Sequence, residues 1–347
     1  MDGWLHCALV TSLLHRLAPL LIVSAMILAL TACGDSSGEM VTIYSGRTEN
    51  LIGPILEDFT EQTGIEVEIR YGDSADLALL IEQEGNDPRA DVFLSQSPGA
   101  VGFLQDLDLL APLAPEILEQ VPEGFRDPQG NWVGFSGRQR VLVYDSRELN
   151  DADLPDSVFD LTDEEWKGRV GIAPSNGSFQ DFVTAMRVSE GDDVAAEFLA
   201  DLAANDVVTY PNNSAIVGAV GRGEIDVGLV NHYYNFRFLE EDPGHPGLNH
   251  SFAADDAGSV FIVTGAALTQ GAADDTDAAR LIEFLLESDA QRYFADETFE
   301  YPVAAGVEPA EAIPPVDLEA VQAIDYEALG GGLARTRELI SDSGLDG

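Results

Sequence analysis

"RVGIAPSNGSFQDFVTAMRVSEG", residues 169–191, decides the fold. A short apolar run, "RVGIAP", enters a turn of Ser, Asn and Gly at Ser175 to Ser178. The helical pattern "FQDFVTAMRVSEG" follows at once. Strand, polar turn and helix in that order form the unit of an α/β fold, and the same unit recurs along the chain. "VTIY" (41–44) leads through "SGRTEN" to "LIGPILEDFTEQTG" (51–64), where Leu51, Ile52, Ile55, Leu56 and Phe59 fall at helical spacing and Gly64 ends the run. "ADVFLS" (90–95) leads to "QSPGAVGFLQDLDLL", "VVTYP" (207–211) through "NNS" to "AIVGAVGRGE", and "IDVGLV" (225–230) to Asn231, an N-cap residue, and "HYY".

Around these units, "IEVEIRY" (65–71) alternates as a strand and "LALLIEQEG" (77–85) is helical. "RQRVLVYD" (138–145) is a strand able to carry the chain into a second lobe. "SVFIVTGAALT" (259–269) is another strand. "DAARLIEFLLESDAQRYFADE" (277–297) has the pattern of one amphipathic helix, and "LARTRELISDSG" (333–344) of a terminal one. Single cores stop growing near about 250–300 residues, so a 347-residue chain is expected to form two lobes.

The composition is acidic, with 62 Asp plus Glu against 17 Lys plus Arg and a net charge of -45. Such a surface repels phosphate backbones and excludes nucleic acid as a partner. Near the N-terminus, His15 and Arg16 precede an uncharged 16-residue stretch, Leu17 to Ala32. That length suits a secretory leader better than a membrane span. It ends in Leu30-Thr31-Ala32-Cys33, similar to a lipobox in which Cys33 is lipidated; the alternative is an incidental cysteine. Residues 1–32 are then a signal peptide and 33–40 the lipidated cysteine with a flexible tether. Cys7 and Cys33 are the only cysteines, so the mature chain would hold no disulfide and no thiolate site.

Ligands of open α/β sheets collect beyond the carboxyl ends of the strands, where helix N-termini present unpaired N–H groups. Five turns would converge there: Ser45 to Thr48, Ser95 to Ser97, Ser175 to Ser178, Asn212 to Ser214 and Asn231 to Tyr234. Plain N-capping accounts for any one of them, whereas several together suit an anion. Capping does not account for Tyr233 and Tyr234. Adjacent side chains diverge within a helix or a strand, but at a strand-to-helix junction two phenols can reach one point. A phenol titrates near ~10 in water, so two phenolates at neutral pH require a strong cation, for which ferric ion is the obvious candidate. Core packing of the rings is the alternative.

From about Met40 to the C-terminus the chain resembles the bacterial periplasmic ferric-iron-binding proteins, the substrate-binding components of iron ABC transporters. The resemblance is carried by "VTIYSGRTE", "PRADVFLSQSPGA", "WVGFSGRQRVLVYD", "WKGRVGIAPSNGSFQDFVTAM", "NNSAIVGAVGRGEIDVGLVNHYY" and "IEFLLESDAQRYFADETFEYPV". It implies a two-lobed periplasmic-binding-protein fold of type II, each lobe a mixed sheet flanked by helices, with the ligand in the interlobe cleft. One lobe would take residues 41–140 and 262–303, the other 141–261 and 304–347. It also implies that Tyr233 and Tyr234 are ferric ligands, and that Asn176, Gly177, Ser178, Asn213 and Asn231 cradle a synergistic carbonate or phosphate. Arg47 lies where carbonate-using relatives place an arginine; a surface charge is the other reading.

Further family ligands are missing: Thr48 replaces a histidine, Gln96 a glutamate, and Phe179 an additional tyrosine. With Ser45, Gly46 and Ser97, residues Thr48 and Gln96 are expected to line the cleft. Enzyme motifs are absent, since "GFSGR" has Arg138 in place of the second glycine of a nucleophile elbow and "HPGLNH" lacks zinc spacing. The expectation is therefore a non-enzymatic, monomeric lipoprotein outside the cytoplasmic membrane, which passes Fe³⁺ to a permease and ATPase complex and releases it on acidification or reduction. The same scaffold could instead hold a polyamine, thiamine or a free oxyanion.

Overall fold

The computed structural model describes residues 40–304, 306–316 and 326–345. The leader, Cys33 and the tether up to residue 39 lie outside the described residues. Eleven strands are described: β1 Val41–Ser45, β2 Val67–Tyr71, β3 Val92–Ser95, β4 Leu110–Ala111, β5 Val133–Asp145, β6 Val170–Ile172, β7 Val208–Thr209, β8 Val227–Asn231, β9 Gly247–His250, β10 Phe261–Thr269 and β11 Tyr301–Pro302. Eight of them run in the order β2-β1-β3-β10-β5-β8-β6-β7, with β4 paired to β10 and both β9 and β11 to β5.

The path divides into two mixed sheets that share β5. In the first, β1 is parallel to β2 and β3, and β10 runs antiparallel between β3 and β5. In the second, β6 is parallel to β7 and β8, while β8 and β9 are antiparallel to β5. The handover falls between neighbouring residues, since Gln139 pairs with Phe261 and Arg140 with Asn231. This is the two-lobed architecture of the type II periplasmic-binding fold.

Helices follow the strands as the apolar spacing requires. Helix Glu49–Thr63 buries Leu51, Ile52, Ile55, Leu56 and Phe59, and Gly64 closes it in the left-handed conformation at φ 75°. Each such side chain contributes about 1.5–3 kcal/mol through burial. Phe59 meets Phe284 edge to face at 5.3 Å, tying that helix to the helical pair beneath β10. Across the second sheet, Gly228 lets helix Asn213–Arg222 approach closely, because a Cβ there would stand 2.2 Å from Ile216 Cγ2.

Two boundaries depart from the sequence pattern. Residues 277–297 form two helices, Thr276–Leu286 and Ser288–Asp296, broken at Glu287, whose ψ of 153° is extended. The break swings Gln291 inward, where its amide donates to Phe135 O at 2.7 Å and Leu285 O at 2.8 Å and accepts from the N–H groups of Val303 and Ala304. Fully satisfied burial of one amide thus overrides a continuous amphipathic period. The terminal helix begins earlier than expected, at Tyr326, and packs on both helix Pro98–Asp106 and helix Gly177–Glu190.

The turn after β1 is pinned by a buried ion pair. Arg47 Nη1 donates to Glu300 Oε1 at 3.0 Å and Nη2 to Oε2 at 2.5 Å, with neither side chain exposed. Ser136 and Thr298 hydroxyls donate to the same carboxylate at 3.2 and 2.9 Å. Burial pushes the Glu300 carboxyl upward, but Arg47 outweighs it and holds the group below its ordinary range. Removing one partner strands the other, so Glu300→Gln is expected to cost about 3–5 kcal/mol, measured as a lower urea midpoint. Gly228→Ala is expected to cost about 1–3 kcal/mol by overpacking against Ile216, read in the same titration.

Candidate metal and anion site

Several helix starts open on one cavity of about 300 Å³, lined by Gly46, Thr48, Gln96 and Ser97, which follow strands of the first sheet, and by Asn176, Gly177, Ser178, Asp181 and Tyr234, which follow strands of the second. Tyr234 is half-buried, whereas Tyr233 is wholly buried and its hydroxyl has no hydrogen-bond partner. The two rings stack with centroids 4.3 Å apart and planes 28° from parallel. Junction geometry brings them together: β8 ends at Asn231 and helix His232–Glu241 starts at the next residue. Burial pushes the Tyr233 phenol well above its ordinary value, with Tyr234 and Glu300 adding to the rise and Arg138 and Arg47 opposing it. Without a cation, Tyr233 is a neutral phenol.

The turn at Asn176 is organised by its own amide. Asn176 Oδ1 accepts from Ser178 N at 3.1 Å and Ser178 Oγ at 2.6 Å, capping helix Gly177–Glu190. Asn213, fully buried, donates from Nδ2 to Ser178 Oγ at 3.1 Å and to Asn176 Oδ1 at 3.4 Å, leaving its Oδ1 unpartnered. Asn176, Ser178 and Asn213 are therefore joined by hydrogen bonds, with Gly177 between the first two at the start of the helix.

Other expected residues are placed differently. Asn231 does not cap its helix through its side chain; its Oδ1 accepts from Arg140 Nη1 at 3.4 Å and its Nδ2 is unpartnered. Arg47 is no surface charge, being 1% exposed, and its fork closes on Glu300 rather than on the cavity, so that only Nε is left without a partner. Ser45 spends its hydroxyl on the backbone of Arg47, accepting from N at 3.2 Å and donating to O at 3.1 Å. Thr48 is exposed and donates to Asn50 Oδ1 at 2.6 Å. Gln96 lies at the cavity wall, its N–H donating to Ser74 Oγ at 2.9 Å and its carbonyl accepting from Arg138 Nη2. Ser97 is buried beside it, its N–H donating to Ser95 Oγ at 3.2 Å. Phe179, the substitute for a tyrosine, is core.

Three charged groups escaped the sequence reading. Arg138 and Arg140 are 0% and 1% exposed, with Arg138 Nε and Nη1 and Arg140 Nε unpartnered. Arg140 donates to Leu229 O at 2.8 Å and lies over the rings of Phe179 and Phe182. Burial lowers its pKa to about 9, with Arg138 adding to the fall and Tyr234 and Asp181 opposing it, so it remains cationic at neutral pH. Asp181, 4% exposed, is raised to about 6 by burial, against the pull of Arg138 and a hydrogen bond from Ser97. A readable signal existed, because two arginines two residues apart on a largely apolar strand must share one face.

The arrangement offers two phenols for a hard cation, and guanidinium and amide donors for an oxyanion. Among known proteins, the Fe(3+)-binding periplasmic protein of Serratia marcescens is 31% identical over 333 residues, 94% of this chain and 96% of that protein. The major ferric iron-binding protein of Neisseria meningitidis serogroup A is 32% identical over 79% of this chain and 84% of its own length. The crystal structure of iron-bound HitA from Pseudomonas aeruginosa superposes with a TM-score of 0.83 at 31% identity, covering 88% of this chain and 99% of that one. Residues 87–329 match the family described as bacterial extracellular solute-binding protein. The chain belongs to that family, in company with relatives that are periplasmic ferric-iron-binding proteins.

Proposed function

We propose that this protein captures Fe³⁺ outside the cytoplasm, together with a carbonate or phosphate anion, and presents it to an ABC permease for uptake. The observation that carries the reading is Tyr233, whose buried hydroxyl has no partner and whose ring stacks on the Tyr234 of the cavity wall. An unsatisfied buried hydroxyl is costly, and a cation that deprotonates it would remove the cost. Iron-binding relatives of similar length support the cargo, and family membership supports the transporter partner.

On this reading Tyr233 and Tyr234 become phenolate ligands. Asn176, Gly177, Ser178 and Asn213 bind the anion, and Arg138 and Arg140 supply the cationic anchor that Arg47, closed on Glu300, does not. The lobes, 41–140 with 262–303 and 141–261 with 304–347, would hinge where β5 passes from one sheet to the other. Lipidation of Cys33 would hold the protein at the membrane; among the described residues no helix is long and apolar enough to cross one. Nothing in the site calls for catalysis.

A spectrum tests the proposal. Ferric citrate added to the purified protein should raise a visible phenolate-to-iron band, absent in Tyr233→Phe and Tyr234→Phe, with ferric affinity down by more than about 100-fold, the upper range for losing a mere supporting residue. Apo Tyr233→Phe should be as stable as the parent or more so by about 1 kcal/mol, since it loses only an unsatisfied hydroxyl. Wild-type iron binding in both variants refutes the ligand assignment. In buffer free of carbonate and phosphate, loading should weaken markedly; undiminished loading there refutes the borrowed anion. A colourless protein that binds phosphate or sulfate alone would instead be an oxyanion carrier.

A further inference from the structure

We propose that Asp181 is a third protein ligand of the metal, standing in for the ligands lost at Thr48, Gln96 and Phe179; the inference rests on the ferric reading above. Asp181 lines the same cavity as Tyr234, is 4% exposed, and leaves Oδ2 without a hydrogen-bond partner. Arg138 and Arg140 both bear on the carboxyl group, and Ser97 lines the same cavity. A carboxylate with one buried oxygen unsatisfied is costly unless a cation arrives, and ferric ion prefers oxygen donors of this kind.

Placement favours the assignment. Asp181 sits on helix Gly177–Glu190, one turn beyond the Asn176 cap, so it reaches the cavity from the lobe that also supplies Tyr234. Phe179, two residues earlier, turns into the core with Phe182. The position at which a tyrosine would enter the cleft is thus apolar; of the polar residues that follow it, Gln180 spends its amide on Pro174 O, Ser175 O and Arg337, while Asp181 keeps one carboxylate oxygen without a partner.

Charge balance points the same way. Arg47 and Glu300 cancel as a pair, while Arg138 and Arg140 remain as buried cations. Two phenolates and one divalent anion do not neutralise Fe³⁺ and these two guanidinium groups; one positive charge is left over. Ionised Asp181 removes it, and a closed, buried site is most stable when its formal charges cancel.

The experiment titrates ferric citrate, in carbonate-containing buffer, into wild type, Asp181→Asn and Asp181→Ser. It records the visible band, the affinity by citrate competition, and the melting temperature of the apo forms. Asn preserves shape and removes an unpaired buried charge, so apo Asp181→Asn should melt at or above wild type; Ser provides a second, smaller variant. The expected result is a retained band in both variants, shifted to longer wavelength because the iron has lost an anionic donor, with affinity lower by about 100-fold. Wild-type affinity and band position in either folded variant overturn the assignment. Lower affinity with an unmoved band also overturns it, because a purely structural residue would act in that way. Absence of any band in wild type would overturn the ferric reading itself, and this inference with it.

Discussion

Strand β5 has to serve two sheets at once, and the remainder of the molecule is arranged around that constraint. Its 13 residues pair with β10 up to Gln139 and with β8 from Arg140 onward. A strand buried by neighbours on both edges and layers on both faces is ordinarily apolar throughout. Here one face carries Ser136, Arg138 and Arg140 in alternation, all within 1% of complete burial. Ser136 hydrogen-bonds Glu300, Arg138 reaches the Gln96 carbonyl, and Arg140 reaches Leu229 and Asn231. The strand common to both lobes therefore delivers positive charge to the place where the lobes meet.

The phenols answer that charge in a specific way. A carboxylate pair in place of Tyr233 and Tyr234 would be ionised in the empty protein and would close on the arginines, filling the site with its own ion pairs. Burial keeps Tyr233 protonated instead, so its oxygen stays neutral, and on the proposed function it remains available for a strong Lewis acid. The Arg47–Glu300 pair acts behind the phenol as a rigid, internally neutral support, with both members among the charges that bear on Tyr233.

Much of the fold was legible because its units are local. Strand, polar turn and helix each fit within about twenty residues, and the turns named their own caps, as Asn176 does with Ser178. The Tyr-Tyr pair stood out because no local rule required it. What escaped depends on contacts distant in sequence. Arg47 sits in a turn that suggests an anion site, yet its partner Glu300 is 253 residues away. Asp181 is one of 62 acidic residues and belongs to no motif, although its neighbours Phe179, Phe182 and Val183 are all core. The break at Glu287 was invisible for the same reason, since the groups that hold Gln291 include Phe135, Val303 and Ala304.

On the proposed function, the acidity of the surface and the buried arginines beside Tyr233 and Asp181 together favour an anion alongside the metal. A net charge of -45 raises the concentration of cations near the surface. Beside Tyr233 and Asp181 positive charge is buried, because Arg138 and Arg140 are insulated from solvent while Tyr233 is neutral. A bare trivalent cation drawn in by the outer field would meet repulsion at the last step, and a bare anion drawn in by the arginines would have to cross the outer field. A ferric ion and an oxyanion arriving together avoid both penalties, each screening the other from the charge that opposes it. On the proposed function, synergy between metal and anion follows from this contrast between the acidic surface and the buried arginines, with Asp181 supplying the remaining negative charge.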